Sequence, residues 1–157
     1  MQAMNASNEG RSPEDCVITM DNYLVFREEM EGAMAYMAEE YAENTERLRG
    51  LTESTEEKVK MRDGAEISMY VIKPKTLTSK SAPGYFYAHG GGGWALGAHH
   101  LEANMMITAL NLDCVVFNID YRLAPEHKCP GPQEDFVDCM DHVFADPALC
   151  REGAYLG

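Results

Sequence analysis

An α/β fold is predicted for this chain, on three observations. A short aromatic strand, Gly84 to Ala88, runs into a glycine cluster and then into a helix-patterned stretch around His99 to Leu110. An apolar strand, Cys114 to Ile119, follows at once, so the order is strand, helix, strand, which implies a parallel pair joined by a right-handed crossover. Upstream, Lys58 to Arg62 and Ile67 to Ile72 flank an Asp63-Gly64 pair, and Asp-Gly tolerates the positive φ of a tight hairpin turn.

The elements follow in order. Residues 1–20 mix Asn, Ser, Gly, Glu and Pro with few apolar positions, too few to offset the entropy of ordering them, and are expected to be a tail. From Tyr23 the apolar residues Phe26, Met30, Ala33, Met34, Met37 and Tyr41 recur at steps of three and four, the spacing of one helix face. Core packing is the default for that stripe. Gly50, after Arg47 and Arg49, is expected to stop the helix. The hairpin follows, then a Thr, Ser and Lys-rich loop to Pro83. Tyr121 to Pro132 is expected as loop, since it holds Pro125, Pro130, Gly131 and Pro132. Pro132 suits the first turn of a last helix, whose apolar face is Phe136, Val137, Met140, Val143 and Phe144 and whose end is Asp146-Pro147. A further strand is expected to start at Ala154.

Composition narrows the function. The chain has 157 residues, 45% of them hydrophobic, enough for one domain with a core. Its 13 basic and 26 acidic residues give a net charge of -13, which repels phosphate backbones and anionic membrane surfaces, so neither nucleic acid nor membrane is an expected partner. Five cysteines, Cys16, Cys114, Cys129, Cys139 and Cys150, are odd in number and contain no CxxC pair. They read as reduced thiols, and the opening residues lack a signal-peptide pattern, so a cytoplasmic location is expected. The Asn5-Ala6-Ser7 sequon is then a chance match.

The chemistry centres on His89-Gly90-Gly91-Gly92-Gly93-Trp94, directly after a strand and before a helix. Consecutive glycines adopt backbone angles barred to other residues and leave their NH groups bare, so such a loop can receive an anion. Two anions are common, a nucleotide phosphate and the oxyanion of an acyl-transfer intermediate. Gly90, Gly92 and Ala95 fit a loose GxGxxA phosphate pattern with Asp120 as a ribose-binding acid, but that pattern needs its helix to begin at once.

A second motif favours the oxyanion. Tyr121-Arg122-Leu123-Ala124-Pro125-Glu126-His127 follows the next strand, and Pro132-Gln133-Glu134-Asp135 opens the next helix. The order HGGG, then DYRLAPE, then P-x-E-D resembles the hormone-sensitive-lipase-like branch of the α/β-hydrolases (fold-3), over roughly residues 55–145. The resemblance implies a partial α/β-hydrolase sheet of about four strands with an N-terminal cap helix, divided as a tail over 1–20, a cap-type helix over 21–54 and a truncated hydrolase domain over 55–157.

It further implies a serine-type carboxylic ester hydrolase acting on a small-molecule ester without a cofactor. The NH groups of Gly91 and Gly92 would form two arms of the oxyanion hole, and His89 would anchor the loop rather than act as a base. This chain has four glycines before the aromatic residue where the family usually has three, so the register could slip to Gly92 and Gly93. Asp120, Arg122 and Glu126 would form a structural polar network behind the loop.

The nucleophile is not expected within these residues. Ser7, Ser12, Ser54, Ser68, Ser79 and Ser81 all precede the glycine loop and none lies in GxSxG, whereas in the family the elbow, acid and histidine come later. By resemblance the elbow would follow the strand beginning at Ala154, and the chain alone is expected to be inactive. The alternatives are a catalytically inactive hydrolase-fold module that binds a ligand or partner, and a Rossmann-type nucleotide binder. Self-association through an exposed sheet edge is expected.

The rivals are weaker. His99 and Glu102 could supply two metal ligands, but adjacent His99 and His100 should diverge on a helix, and no metal is expected. Cys129 and Cys139 read as small buried hydrophobes rather than nucleophiles, although His127 and His142 are near in sequence. In the resembled family the N-terminal helices form part of a cap over the acyl pocket, so Met30, Met34, Met37 and Tyr41 could also contact substrate.

Overall fold

The computed structural model describes residues 12, 17–78, 82–146, 149 and 155–156. Most of the tail, with Cys16, Cys150 and Ala154, therefore lies outside the described residues, as does most of the segment from 147 to 154.

The elements in chain order are α1 (Tyr23–Glu40), α2 (Ala42–Leu51), β1 (Thr52–Lys60), β2 (Glu66–Pro74), β3 (Gly84–Ala88), a 3-10 turn (Ala98–Leu101), α3 (Glu102–Leu112), β4 (Val115–Asp120), α4 (Gly131–Ala145) and β5 (Tyr155–Leu156). One mixed sheet has the order β1-β2-β4-β3-β5. β1, β2 and β4 pair antiparallel, and β3 pairs parallel with both β4 and the two-residue β5. The hairpin closes at Asp63-Gly64 as expected, with Gly64 at φ +89° and Met61 N–H donating to Ala65 O at 2.8 Å. Its strands run nine residues each, longer than the apolar runs alone indicated.

Alternation along the strands builds two half-cores. Val115, Phe117 and Ile119 of β4 point with Phe86, Met69 and Val71 to the face covered by Cys139 and Val143 of α4. Cys114, Val116 and Ile72 point to the other face, covered by Met105, Met106 and Ala109 of α3 and by Leu48 of α2. This period-2 division is what strands buried on both faces require.

Several expectations need correction. Gly50 does not end the helix: α2 continues to Leu51 and passes directly into β1 at Thr52. The last carbonyls are satisfied without a glycine cap, because Lys75 Nζ donates to the carbonyls of Arg49 and Gly50 at 3.0 and 3.1 Å and Thr52 Oγ1 donates to Leu48 O at 2.9 Å. A domain boundary after residue 54 consequently falls inside β1. The apolar stripe of α1 is not core, since no residue of that helix is buried and Met37 and Tyr41 are about half exposed. The helix is instead fastened to the body by polar groups. On α4, Cys139 and Val143 are the buried apolar positions, while Val137 and Phe144 are about half exposed. Phe144 still meets Phe86, with ring centroids 5.6 Å apart. No described helix is long and apolar enough to cross a membrane.

Candidate active-site loop

The glycine loop leaves the C-terminal end of β3, which lies between β4 and the two-residue β5. Gly91, Gly92 and Gly93 have φ of +115°, +65° and +75°, all left-handed, so this stretch requires residues without a Cβ. Gly91 is the most constrained: a Cβ there would lie 2.0 Å from the carbonyl oxygen of Ala95. That close approach arises because Gly91 O accepts from Trp94 N–H and Ala95 N–H, folding the loop back on itself. Among the described residues the NH groups of Gly91 and Gly92 donate to no protein acceptor. Gly93 is tied down through its carbonyl, which accepts from Ala124 N–H at 2.8 Å.

The loop is held from behind by the second motif. His89 is buried, its Nδ1 lies 2.8 Å from Gly90 O, and its ring stacks on Tyr121 with centroids 4.1 Å apart and planes 7° from parallel. Tyr121 Oη donates to the carbonyl of His89 at 2.7 Å, closing the contact. Burial pushes the His89 imidazole below its ordinary pKa, outweighing the hydrogen bond to Gly90, so the ring is neutral. A neutral, buried, stacked ring is suited to holding backbone in place.

Asp120 Oδ1 accepts from Ala98 N–H at 2.7 Å and so anchors the 3-10 turn beyond the loop. That arrangement removes the Rossmann reading. Residues 91–95 form turns and bends and 96–97 irregular backbone before the 3-10 turn begins, and the acid at the strand end is already engaged by backbone.

Arg122 lies deeper. Its Nε and Nη2 grip the fully buried Asp135 carboxylate, its own backbone N–H donates to the same group, and Nη1 reaches Asp63 at 2.7 Å. The hydrogen bond to Asp135, and then that to Asp63, raise the Arg122 pKa further above its usual range. DYRLAPE is thus bolted both to α4 and to the hairpin turn.

Glu126 faces α1. Arg27 forks onto its carboxylate at 2.9 and 3.1 Å, and also donates from Nε to Trp94 O and from Nη2 to Ala124 O, each at 2.9 Å. These bonds hold the Glu126 pKa down at about 2, with the Arg27 hydrogen bond the first cause. One side chain of α1 therefore clamps both the glycine loop and the DYRLAPE turn. Sequence reasoning missed Arg27, although it is the single basic residue in the otherwise acidic α1.

The histidine pair also differs from expectation. Glu102 turns away to Arg49, at 2.7 Å. His99 and His100 do not diverge, because they sit in a 3-10 turn and the His100 ring folds back to Gly97; their ring centroids are 3.8 Å apart. Glu31 of α1 joins them, with its carboxylate 2.8 Å from His100 Nε2. Of the thiols, Cys139 is buried and pushed up to about 12 by desolvation, but Cys129 is exposed, because it lies on the turn ahead of α4 rather than under it.

A parallel strand feeding a left-handed glycine loop, braced by the Tyr121 and Arg122 contacts, fits the architecture of an α/β-hydrolase. Residues 85–154 match the family model described as alpha/beta hydrolase fold. Mouse arylacetamide deacetylase is 41% identical over 94 residues, covering 58% of this chain and 23% of its own length. Among solved structures, a bacterial heroin esterase superposes with a TM-score of 0.73 at 19% identity, covering 100% of this chain and 47% of its own. Brefeldin A esterase, described as a bacterial homologue of human hormone sensitive lipase, gives a TM-score of 0.59 at 27% identity over 67% of this chain and 30% of its own. Residues 85–154 thus match the α/β-hydrolase fold, and the chain is similar to an N-terminal portion of these esterases. It spans about a quarter of the length of the curated relatives it matches.

Proposed function

We propose that this chain supplies the oxyanion-binding loop and cap helix of a serine-type carboxylic ester hydrolase. The observation that carries the reading is the pair Gly91 and Gly92, left-handed and with NH groups unclaimed by the described residues, at the C-terminal end of the strand next to β5. In this reading the nucleophile would follow the strand that β5 begins, so a carbonyl oxygen in the cleft between them would develop its charge against the two NH groups. Donors fixed before the reaction cost no reorganisation as that charge develops, which is the source of their catalytic value. His89 and Tyr121 keep the loop rigid, and Arg27 brings α1 over it, so Met30 and Met34 of α1 become candidates for contact with the acyl group. The attack would be that of a serine hydroxyl on the ester carbonyl, giving an acyl-enzyme and then, with water, the acid.

The 157 residues contain no GxSxG serine, so the polypeptide by itself is expected not to turn over aryl esters. The test is a chimera in which residues 1–157 are continued by the nucleophile-to-C-terminus part of the bacterial heroin esterase, assayed on p-nitrophenyl acetate beside the 157-residue chain. Turnover by the chimera, and its fall by about 10²–10³ in Gly91→Ala, supports the reading. Ordinary turnover by the 157-residue chain alone, or a folded chimera indifferent to Gly91→Ala, overturns it. A second reading, a catalytically inactive ligand- or partner-binding module, rests on the same missing serine; it predicts an inert chimera.

A further inference from the structure

Glu31, His99 and His100 come from two separate elements, α1 and the 3-10 turn ahead of α3, and converge beside the glycine loop. One ligating atom from each lies within 4.8 Å of the other two. The His100 side chain is only 7% exposed, and its Nε2 is already 2.8 Å from the Glu31 carboxylate. Its other nitrogen, Nδ1, lies 3.0 Å from Gly97 N and 3.3 Å from Gly97 O. Either tautomer therefore finds a backbone partner. With the proton on Nδ1 and donated to Gly97 O, in exchange for the bond that Nδ1 accepts from Gly97 N–H, the Nε2 lone pair is free to ligate, which is the arrangement that orients metal-bound histidines.

We propose that Glu31, His99 and His100 form a binding site for a divalent transition-metal ion of the zinc class, clamping α1 to the hydrolase body. Two imidazoles and one carboxylate favour zinc and its neighbours over magnesium or calcium, which prefer oxygen donors. Ligand bonds of about 2.0–2.1 Å place the donors around a tetrahedral ion about 3.4 Å apart. The Glu31–His100 pair must open slightly to reach that spacing and the exposed His99 ring must swing inward, and both side chains that move, Glu31 and His99, are on the surface. Water would fill the fourth position. The chain's net charge of -13 draws cations towards it without choosing among them. The site is independent of the oxyanion reading, since it uses none of the glycine-loop NH groups.

The experiment is calorimetric titration of the 157-residue chain with Zn²⁺ alone, with Mg²⁺ as control, and Co²⁺ absorption as a geometric readout. Wild type should take up one Zn²⁺ per chain, ignore Mg²⁺, and give the visible bands of four-coordinate Co²⁺. Glu31→Gln and His99→Ala should each weaken Zn²⁺ binding at least tenfold and remove the bands. Both alter exposed side chains, so circular dichroism should show the fold unchanged; His100→Ala is avoided because His100 also caps the 3-10 turn. Absence of saturable Zn²⁺ uptake would reduce the cluster to a hydrogen-bonded ion pair and overturn the proposal. Uptake unaffected by either substitution, or lowered by only one, would overturn the three-ligand site as well.

Discussion

Replacing Asp135 with alanine should be among the most damaging single changes available in this chain. The carboxylate is fully buried and accepts from Arg122 N, Nε and Nη2, at 3.0, 2.9 and 2.6 Å. Asp135→Ala leaves a guanidinium that is only 18% exposed, with Asp63 as its one remaining carboxylate, and strips the Arg122 N–H of its acceptor. Breaking a buried pair from one side typically costs about 3–5 kcal/mol, because the surviving charge stays desolvated. For a chain of this size that corresponds to a fall in Tm of roughly 6–20 °C. The assay is urea unfolding followed by circular dichroism at low protein concentration, comparing wild type, Asp135→Ala and the double variant Asp135→Leu with Arg122→Met. The double variant should lose less than the single one, since apolar replacement of both partners removes the stranded charge. A single variant within about 1 kcal/mol of wild type would refute the claim that this pair bolts the second motif to α4.

Other outcomes follow from the same contacts. The Glu126 pKa is depressed to about 2 in the folded chain, so the Arg27 clamp is fully present above the ordinary glutamate value and is lost as pH falls from about 4.5 towards 2. Trp94 fluorescence, next to the carbonyl that Arg27 holds, should report that transition, and Glu126→Gln should abolish it; a transition unchanged in Glu126→Gln would count against the clamp. Cys129 should be alkylated in the native chain far faster than Cys114 or Cys139, both buried, as read by peptide mapping; equal labelling of all three would contradict the packing of α4. The 157-residue chain should self-associate in sedimentation, because among the described residues β5 pairs with β3 only at Tyr85 and Phe86, a short cover for a strand edge. A sharp monomer boundary at all concentrations would refute this.

The sheet and loop were legible because their signals are local. Period-2 patterning, the Asp63-Gly64 turn and the strand-glycine-helix order each lie within a short window, and two motifs at a fixed spacing supplied the family. Contacts bridging distant segments were not. Arg27 meets Glu126 across 99 positions and Glu31 meets His100 across 69, and no periodicity encodes such a pairing. The stripe on α1 misled for the same reason: helical spacing describes a face, but only tertiary contacts decide whether that face is covered. Gly50 misled because Lys75, on a later strand end, does the work expected of a glycine cap. The adjacent histidines were judged on α-helical geometry, whereas the tighter 3-10 turn and the fold-back to Gly97 bring their rings together.

The central claim is that Gly91 and Gly92 are oxyanion donors, and it is met most directly by a crystal structure of the reconstituted chimera after reaction with an aryl phosphonate. The tetrahedral adduct carries an anionic oxygen where the ester oxyanion would be. That oxygen should lie about 2.7–3.1 Å from both the Gly91 and Gly92 nitrogens, with the His89–Tyr121 stack undisturbed. An oxygen held instead by Gly92 and Gly93, or turned away from the loop altogether, would contradict the assignment.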